Sequence, residues 1–370
     1  MNNFDKIFSL AVVGVQRLIP YKPGKPIEEL ERELGLTEIV KLASNENSLG
    51  PSKKAMVAIQ DALPTLALYP DGSGFELKKA LAKKYELDES QITLGNGSNE
   101  ILELVARAFL MPEYEAVFSQ HAFAVYPIVT QALGAKAVVV PAINYGHDLQ
   151  AMLQAVTEKT RVVFIANPNN PTGTLLSQMS LEAFIGALPD TCICVLDEAY
   201  FEFVSAIESI NSIDWLKKFP NLLITRTFSK AYGLAGLRIG YGLSSPQFAD
   251  ILNRVRQPFN NNTLALVAAE AALADDDHLQ KTIALNVQGM QQLTEGFLKL
   301  GLEWIPSAGN FVLLNLKQAG QPIYEALLHK GVIVRPVGNY ELPNHLRISI
   351  GTAIGNAQFL NALADTLAYV

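Results

Sequence analysis

A segment from Val162 to Gly173, with the sequence VVFIANPNNPTG, shows how this chain is built. Its first five residues are all apolar, which is typical of a strand covered on both faces in a parallel sheet. The remainder is turn chemistry, with two Asn-Pro steps and a Pro-Thr-Gly. Similar apolar runs occur at residues 137–140, 192–196 and 222–225, and helical patterns separate most of these runs. This alternation predicts an α/β fold with a mostly parallel central sheet.

The pattern outside the central sheet predicts three parts. Helical spacing of apolar residues recurs at 27–34, 53–63, 75–85 and 100–110. After about Asn262 the pattern changes to long helices and isolated strands, at 264–273, 279–300, 311–316, 323–330, 332–334 and 346–350, before a terminal helix. We therefore predict an irregular N-terminal segment (1–44) that contributes to the small domain. A large domain (45–262) and a smaller α+β domain (263–370) follow.

Composition and charge exclude several classes of protein. With 49% hydrophobic and 18% charged residues, the bulk of the chain is not disordered. A net charge of −7 argues against a general nucleic-acid binder, which would usually be basic. The two cysteines, Cys192 and Cys194, form no disulfide framework, and the five histidines show no metal-ligand spacing. We predict a cytoplasmic protein with no metal site, and with no membrane span, because polar residues interrupt the uncharged stretch 116–135.

Four chemically suggestive features follow the predicted strands. Asn170, Asp197 and Lys230 come shortly after successive apolar runs, and Arg238 lies eight residues beyond Lys230. Each has an ordinary explanation alone: a turn, a helix cap, a surface lysine, a structural ion pair. Open α/β sheets bind ligands at the carboxyl ends of their strands. Because the four residues follow successive strands in this order, we predict that they form one shared site.

Together the segments 167–173, 197–200, 227–230 and 236–238 resemble the pyridoxal-phosphate enzymes of the aspartate aminotransferase fold. The resemblance implies that fold for the large domain, and pyridoxal 5′-phosphate as cofactor. Lys230 would hold the cofactor aldehyde as a Schiff base and shuttle a proton. Asp197 would keep the pyridine nitrogen protonated. Asn170 and Tyr200 would donate hydrogen bonds to the phenolic oxygen of the cofactor. Arg238, Ser229 and Thr227 would bind its phosphate.

Two further elements gain meaning from the resemblance. In the sequence GNGSNE at 95–100, the turn Gly97, Ser98 and Asn99 would offer backbone N–H groups to the cofactor phosphate. Phe123 corresponds to the aromatic residue that stacks on the cofactor ring. Without the resemblance, the turn is equally a helix N-cap, and Phe123 a core aromatic on a helix.

The resemblance narrows to the histidinol-phosphate aminotransferase group of this family. It is carried by PYKPGKP (20–26), KLASNEN (41–47), YPDG (69–72), SKAYGLAGLRIG (229–240) and LRISIGT (346–352). Ser48 departs from the family, which usually has proline there, and should loosen a turn. The resemblance implies glutamate, 2-oxoglutarate and histidinol phosphate as substrates, within histidine biosynthesis. Arg347, Arg335 and Tyr21 would bind the substrate anions together with Asn170. Tyr69 would reach the neighbouring subunit's site, which implies a homodimer.

Other functions remain open at this point. An aromatic amino-acid or prephenate aminotransferase would share every cofactor residue. A threonine-phosphate decarboxylase would share the phosphate-binding features, and Arg335 and Arg347 could instead form structural ion pairs. A non-catalytic ligand sensor is disfavoured by the intact set Lys230, Asp197 and Arg238.

Overall fold

The structure is a computed structural model that describes residues 3–21, 23–205, 208 and 210–368, with side chains from Lys6 onward. Lys22, which belongs to the PYKPGKP segment, lies outside the described residues. The helices, in chain order, are α1 (Asn3–Leu10), α2 (Val13–Gln16), α3 (Ile27–Leu34), α4 (Lys53–Ala62), α5 (Phe75–Tyr85), α6 (Ser98–Phe109), α7 (Val125–Ala132), α8 (Leu149–Gln154), α9 (Gln178–Ala187), α10 (Pro246–Val255), α11 (Thr263–Leu273), α12 (Asp276–Lys299), α13 (Gly320–His329) and α14 (Ala353–Leu367).

The strands form one large and two smaller sheets. In chain order they are β1 (Val40–Lys41), β2 (Ile92–Gly95), β3 (Glu115–Ser119), β4 (Lys136–Val140), β5 (Thr160–Ala166), β6 (Ile193–Asp197), β7 (Leu222–Thr227), β8 (Gly240–Leu243), β9 (Glu303–Ile305), β10 (Phe311–Asn315), β11 (Val332–Ile333), β12 (Arg335–Pro336) and β13 (His345–Ser349).

The large sheet has the order β2-β8-β7-β6-β5-β3-β4 within the described residues. Pairing is parallel from β7 through β6, β5 and β3 to β4, and β8 runs antiparallel to both of its neighbours. The prediction of an α/β fold with a mostly parallel central sheet is therefore confirmed. Strand β8, with the sequence GYGL, was not predicted, because its two glycines weaken the apolar signal of a short strand.

The central strands are buried on both faces, as predicted. In β5, Val163 and Ile165 belong to one apolar cluster, whereas Val162 and Phe164 belong to a second cluster on the other side. For β4 the prediction of a doubly covered strand is wrong. Val139 is 52% exposed, because β4 is the edge of the sheet and pairs with β3 alone among the described strands.

The smaller domain is an antiparallel sheet, β12-β13-β10-β9, packed against helices. Its apolar core includes Phe297 of α12, Ile323 of α13 and Phe359 of α14. The N-terminal segment joins this unit, since Val40 pairs in parallel with Val332 and Leu42 lies in the same core. These contacts support the assignment of 1–44 to the small domain, which we retain as a proposal with the division of the remainder into a large and a small domain. Helix α11, which the sequence placed in the small domain (263–370), instead packs into the apolar core of the large domain with Leu77 and Leu81, so the small domain begins after α11.

Several element boundaries place the functional residues more closely than the sequence did. Helix α6 begins at Ser98, two residues before the predicted start, so that Gly97 is its N-cap residue. Asp197 and Thr227 are the last residues of β6 and β7, not loop residues. Cys192 and Cys194 are buried free thiols. Of the helices described, none has the length and apolar character required to cross a bilayer.

Candidate active site

A cavity of about 190 Å³ lies at the carboxyl ends of β5, β6 and β7. The N-terminus of α6, Phe123, the small domain and the N-terminal segment contribute the rest of its wall. Most of the residues singled out in the sequence line this cavity: Tyr21, Ser98, Asn99, Phe123, Asn170, Asp197, Tyr200, Thr227, Ser229, Lys230, Arg238, Arg335 and Arg347. Gly97 borders it through Arg238, and Tyr69 lies elsewhere.

Lys230 follows β7 by three residues and places its amine inside the cavity. Its Nζ donates a hydrogen bond of 2.9 Å to the backbone carbonyl of Ser44. Burial, reinforced by the positive charge of Arg347, lowers the pKa of Lys230 to about 7. An amine with this pKa is substantially unprotonated at neutral pH, so it can act as a nucleophile or as a base.

Asp197 sits at the end of β6 with hydrogen-bond donors to both of its carboxylate oxygens. Tyr126 Oη donates to Oδ2 at 2.9 Å, and Thr225 Oγ1 donates to Oδ1 at 3.0 Å. Burial raises the pKa of Asp197, while these two hydrogen bonds act in the opposite direction and favour the charged form. The arrangement offers an oriented carboxylate that can accept a hydrogen bond from a cationic ring nitrogen.

Tyr126, which the sequence did not indicate, contacts two of the predicted site residues. It is fully buried in α7, its ring is stacked on Phe164 at 4.7 Å, and it meets Phe123 edge-on at 5.9 Å. It therefore contacts both Asp197 and the aromatic residue predicted to cover the cofactor ring. Its position three residues after Phe123 was the available signal. Phe123 itself lies just before α7, not on a helix.

One end of the cavity is suited to a phosphate group. Gly97 has φ +76°, and a Cβ atom at this position would lie 2.4 Å from the guanidinium of Arg238. Glycine thus allows Arg238 to approach the N-terminus of α6, where backbone N–H groups favour anions. Arg238 also donates to Ser229 Oγ at 3.3 Å, and the Ser229 N–H donates to Thr227 Oγ1 at 3.1 Å. This group of donors is the chemistry that holds a phosphate ester.

The small domain contributes two arginines that face each other. Arg335 of β12 and Arg347 of β13 are directly opposite in register, so their side chains share one face of the sheet. Like charges in this arrangement repel, and an anion bound between them would relieve the repulsion. Arg347 donates hydrogen bonds of 2.6 Å to Asn170 Oδ1 and to the carbonyl of Ala43. Tyr21 lies against the guanidinium of Arg335, whose Cζ is 5.5 Å from the ring centre.

Tyr69 is not part of the cavity formed by a single chain. It is 83% exposed and is stacked on Phe259 with ring centres 4.8 Å apart. Its predicted role concerns a neighbouring subunit, so its absence from this cavity leaves that prediction open. Among the described residues, no group of three or more His, Cys, Asp or Glu side chains is arranged to hold a metal ion.

Comparison with known proteins gives a consistent result. The sequence profile of the family "Aminotransferase class I and II" matches residues 37–365. Histidinol-phosphate aminotransferase 2 of Pseudomonas fluorescens is 60% identical over 97% of this chain and 98% of its own length. Histidinol-phosphate aminotransferase 2 of Pseudomonas aeruginosa is 58% identical, with 98% of both chains covered.

Solved structures agree with this assignment. The histidinol-phosphate aminotransferase of Sinorhizobium meliloti, solved in complex with pyridoxal-5′-phosphate, superposes with a TM-score of 0.91 at 31% identity, and 98% of each chain is covered. A Thermus thermophilus aspartate aminotransferase mutant, at 23% identity, shares the fold with a TM-score of 0.84, covering 96% of this chain and 98% of that one. The chain therefore belongs to the class I and II aminotransferase family.

Proposed function

We propose that this chain is a pyridoxal-phosphate-dependent histidinol-phosphate aminotransferase. It moves an amino group from L-glutamate to imidazole-acetol phosphate, giving 2-oxoglutarate and L-histidinol phosphate for histidine biosynthesis. The observation that carries the proposal is the cavity itself, in which Lys230 and Asp197 of the large domain meet Arg335 and Arg347 of the small domain. The 60% identity to a protein of this name supports the choice of substrate.

The donors of the cavity fit pyridoxal phosphate. When bound, this cofactor supplies an aldehyde that condenses with amines and a ring that withdraws electrons from the adjacent carbon. Arg238, the N-terminus of α6 and the hydroxyls of Ser229 and Thr227 would hold its phosphate. Asp197 would pair with the ring nitrogen. The phenolic oxygen would receive hydrogen bonds from Asn170 and Tyr200, and Phe123 would cover the ring.

Lys230 has two tasks in this mechanism. Because its pKa lies near 7, its amine is available at neutral pH to attach to the cofactor aldehyde. With cofactor and substrate bound, the same amine would take the proton from the α-carbon of the substrate and deliver it to the C4′ carbon of the cofactor. A proton shuttle works best when its pKa is close to the operating pH.

Arg347 and Arg335 anchor the substrates. A forked guanidinium contact can hold the α-carboxylate of glutamate or the phosphate of histidinol phosphate, because each anion presents two oxygens to the guanidinium. Arg347 donates hydrogen bonds to Asn170 and to the carbonyl of Ala43, which are both uncharged acceptors. A substrate anion would replace these weaker partners with a full charge.

We also propose that the chain works as a homodimer in which Tyr69 completes the partner's phosphate site. Support comes from a set of large apolar side chains that the single chain leaves exposed near this residue in sequence: Leu63, Leu66, Leu68 and Tyr69. Mixing Tyr69→Ala protein with Lys230→Ala protein, under conditions that exchange subunits, should restore part of the activity. No recovery in exchanged dimers would contradict the shared site. We further propose a cytoplasmic location, because the two cysteines are free thiols, and no nucleic-acid partner, because the net charge is −7.

The substrate is tested by comparing kcat/KM for histidinol phosphate and for phenylalanine as amino donors to 2-oxoglutarate. Histidinol phosphate should be preferred because Arg335, Arg347 and Tyr21 can bind its phosphate group. A preference for phenylalanine would instead make the chain an aromatic amino-acid aminotransferase. Release of carbon dioxide from threonine phosphate would indicate the decarboxylase.

A further inference from the structure

The sequence KLASNEN carried the family resemblance but received no role, and the structure shows it crossing the cavity. Three consecutive residues bind functional groups through their backbone or side chains. The carbonyl of Ala43 accepts from Arg347, and the carbonyl of Ser44 accepts from Lys230. Asn45 is 1% exposed and has φ +55°, a left-handed conformation that asparagine tolerates better than most residues.

The side chain of Asn45 contacts the hydroxyl of Tyr200. Asn45 Nδ2 donates to Tyr200 Oη at 2.9 Å. A phenolic hydroxyl carries one proton and can both accept and donate. Because Nδ2 is solely a donor, Tyr200 accepts at this contact and keeps its own proton for another acceptor. Tyr200 lines the cavity, so that proton is available to an acceptor inside it.

Ser349 of the small domain fixes the orientation of the Asn45 amide. Ser349 Oγ donates to Asn45 Oδ1 at 3.0 Å and accepts from the Asn45 backbone N–H at 2.7 Å. Asn310 Nδ2 also donates to the Asn45 carbonyl at 3.0 Å. With Oδ1 engaged by Ser349, Nδ2 points to Tyr200. The hydrogen bonds therefore run in one direction, from Ser349 through Asn45 to Tyr200 and into the cavity.

We propose that Asn45 is a positioning residue: its amide, oriented by Ser349, compels the Tyr200 hydroxyl to donate its proton into the cofactor site. The inference rests on the proposed function, which puts the phenolic oxygen of pyridoxal phosphate in front of Tyr200. A donor to that oxygen stabilises its negative charge, and this lowers the pKa of the Lys230 nitrogen once it is joined to the cofactor. Because Ser349 lies two residues after Arg347 in β13, the strand that binds the substrate anion also sets this donor.

Exchange of the amide for a carboxylate tests the direction of the hydrogen bond. In Asn45→Asp, the side chain can only accept, so the Tyr200 proton should turn away from the cavity towards Asp. The other titratable or charged groups that act on Tyr200 or Lys230 stay unchanged: Asp197, Tyr340, Arg347, Arg238, Glu46 and Lys41. A difference between variants therefore reports on the Asn45 contact.

The measurement is the pH midpoint of the visible absorption of the purified holoprotein, for the wild type and for Asn45→Asp, Tyr200→Phe and the double variant. We expect Asn45→Asp and Tyr200→Phe each to raise the midpoint by about one to two pH units, the size expected for a hydrogen bond to a charged group. In the Tyr200→Phe background, Asn45→Asp should add little. Asn253→Asp, in α10, is the matched control and should leave the midpoint unchanged.

An unchanged midpoint in Asn45→Asp would overturn the proposal. The proposal would also be overturned if Asn45→Asp shifted the midpoint equally in the wild-type and Tyr200→Phe backgrounds. The new carboxylate would then act on the cofactor linkage directly and not through Tyr200. If Asn45→Asp does not accumulate as holoprotein, Ser349→Ala carries the test: a smaller rise in the midpoint supports the proposal, and no rise refutes it. A wild-type protein without a visible band that depends on Lys230 would refute the proposed function itself, so the two failures are distinguishable.

Discussion

The two halves of the cavity are built in different ways. One half, which we call the cofactor half because we propose that it holds the cofactor, consists of Asp197, Thr227, Ser229, Lys230 and Arg238, which come from the ends of neighbouring strands in one sheet or from the loop after β7. The other half, which we call the substrate half because we propose that it binds the substrate, consists of Tyr21, Ala43, Ser44, Arg335 and Arg347, which come from the N-terminal segment and from two strands of the small domain. The cofactor half is held by one sheet. The substrate half forms only where the N-terminal segment and the small domain meet the large domain.

This difference separates chemistry from selectivity. In this chain, Asp197 ends β6 and Lys230 follows the neighbouring strand β7, so one sheet sets their relative position. The substrate half can change its anion-binding groups without disturbing that sheet. We therefore expect substitutions in the cofactor half to reduce kcat for every substrate, and substitutions in the substrate half to act mainly on KM.

The largest effect is expected from Lys230→Ala. Removal of the amine eliminates both the attachment to the cofactor and the proton shuttle, so kcat should fall by about 10³-fold or more with every amino donor. Steady-state rates with glutamate and with histidinol phosphate measure it. Lys217→Ala, whose side chain is 75% exposed, is the matched control. A loss confined to one donor would break the separation between the two halves.

Arg347→Lys should act on substrate binding. Lysine keeps the charge but loses the forked contact, so KM for histidinol phosphate and for glutamate should rise by about 30-fold while kcat changes less. Arg254→Lys, 74% exposed on α10, serves as the control. A fall in kcat with unchanged KM would place Arg347 in the chemical step instead.

The pH dependence of cofactor uptake tests the environment of Lys230. With a pKa of about 7, the reactive unprotonated amine should increase through pH 7 and level off above pH 8. The uptake rate of the cofactor-free protein, followed by rapid-mixing absorption, should therefore rise about tenfold between pH 6 and pH 8. A rate that continues to climb towards pH 10 would show an ordinary, solvated lysine.

Tyr126→Phe is expected to have the smallest effect. The variant keeps the ring stacked on Phe164 and removes the hydrogen bond to Asp197. The loss of one such bond is worth about 1 kcal/mol, so kcat should fall about fivefold with all donors and KM should change little. Thr225→Val, which removes the donor to the other oxygen, should behave alike. A selective effect on one substrate would show that the two halves are coupled.

The same contrast explains how much the sequence could predict. Part of the cofactor half was predictable because Asp197 and Lys230 lie at or shortly after the ends of apolar strands, and parallel strands end at the same edge of a sheet. Thus Asn170, Asp197 and Lys230 were found by position alone, before any resemblance was used. The covered strands and helix α5 were predicted for the same reason: their apolar periodicity is strong.

The remainder depended on contacts that sequence periodicity does not encode. The opposition of Arg335 and Arg347 follows from strand register, and the Tyr126–Asp197 hydrogen bond from the packing of α7 under the sheet. Asn45 reaches Tyr200 because an irregular segment crosses two domains. Strand β8 was not predicted because its two glycines weaken the apolar signal. The exposure of β4 was not predicted because its edge position depends on the order of all strands in the sheet.

The most direct test is to identify the lysine that carries the cofactor. Borohydride reduction of the holoprotein makes the linkage permanent, and mass spectrometry of the peptides locates it. We predict that the added mass is found on Lys230 alone, in the peptide that contains SKAYGLAGLR. Modification of a different lysine, or no modified peptide from a protein saturated with pyridoxal phosphate, would contradict it.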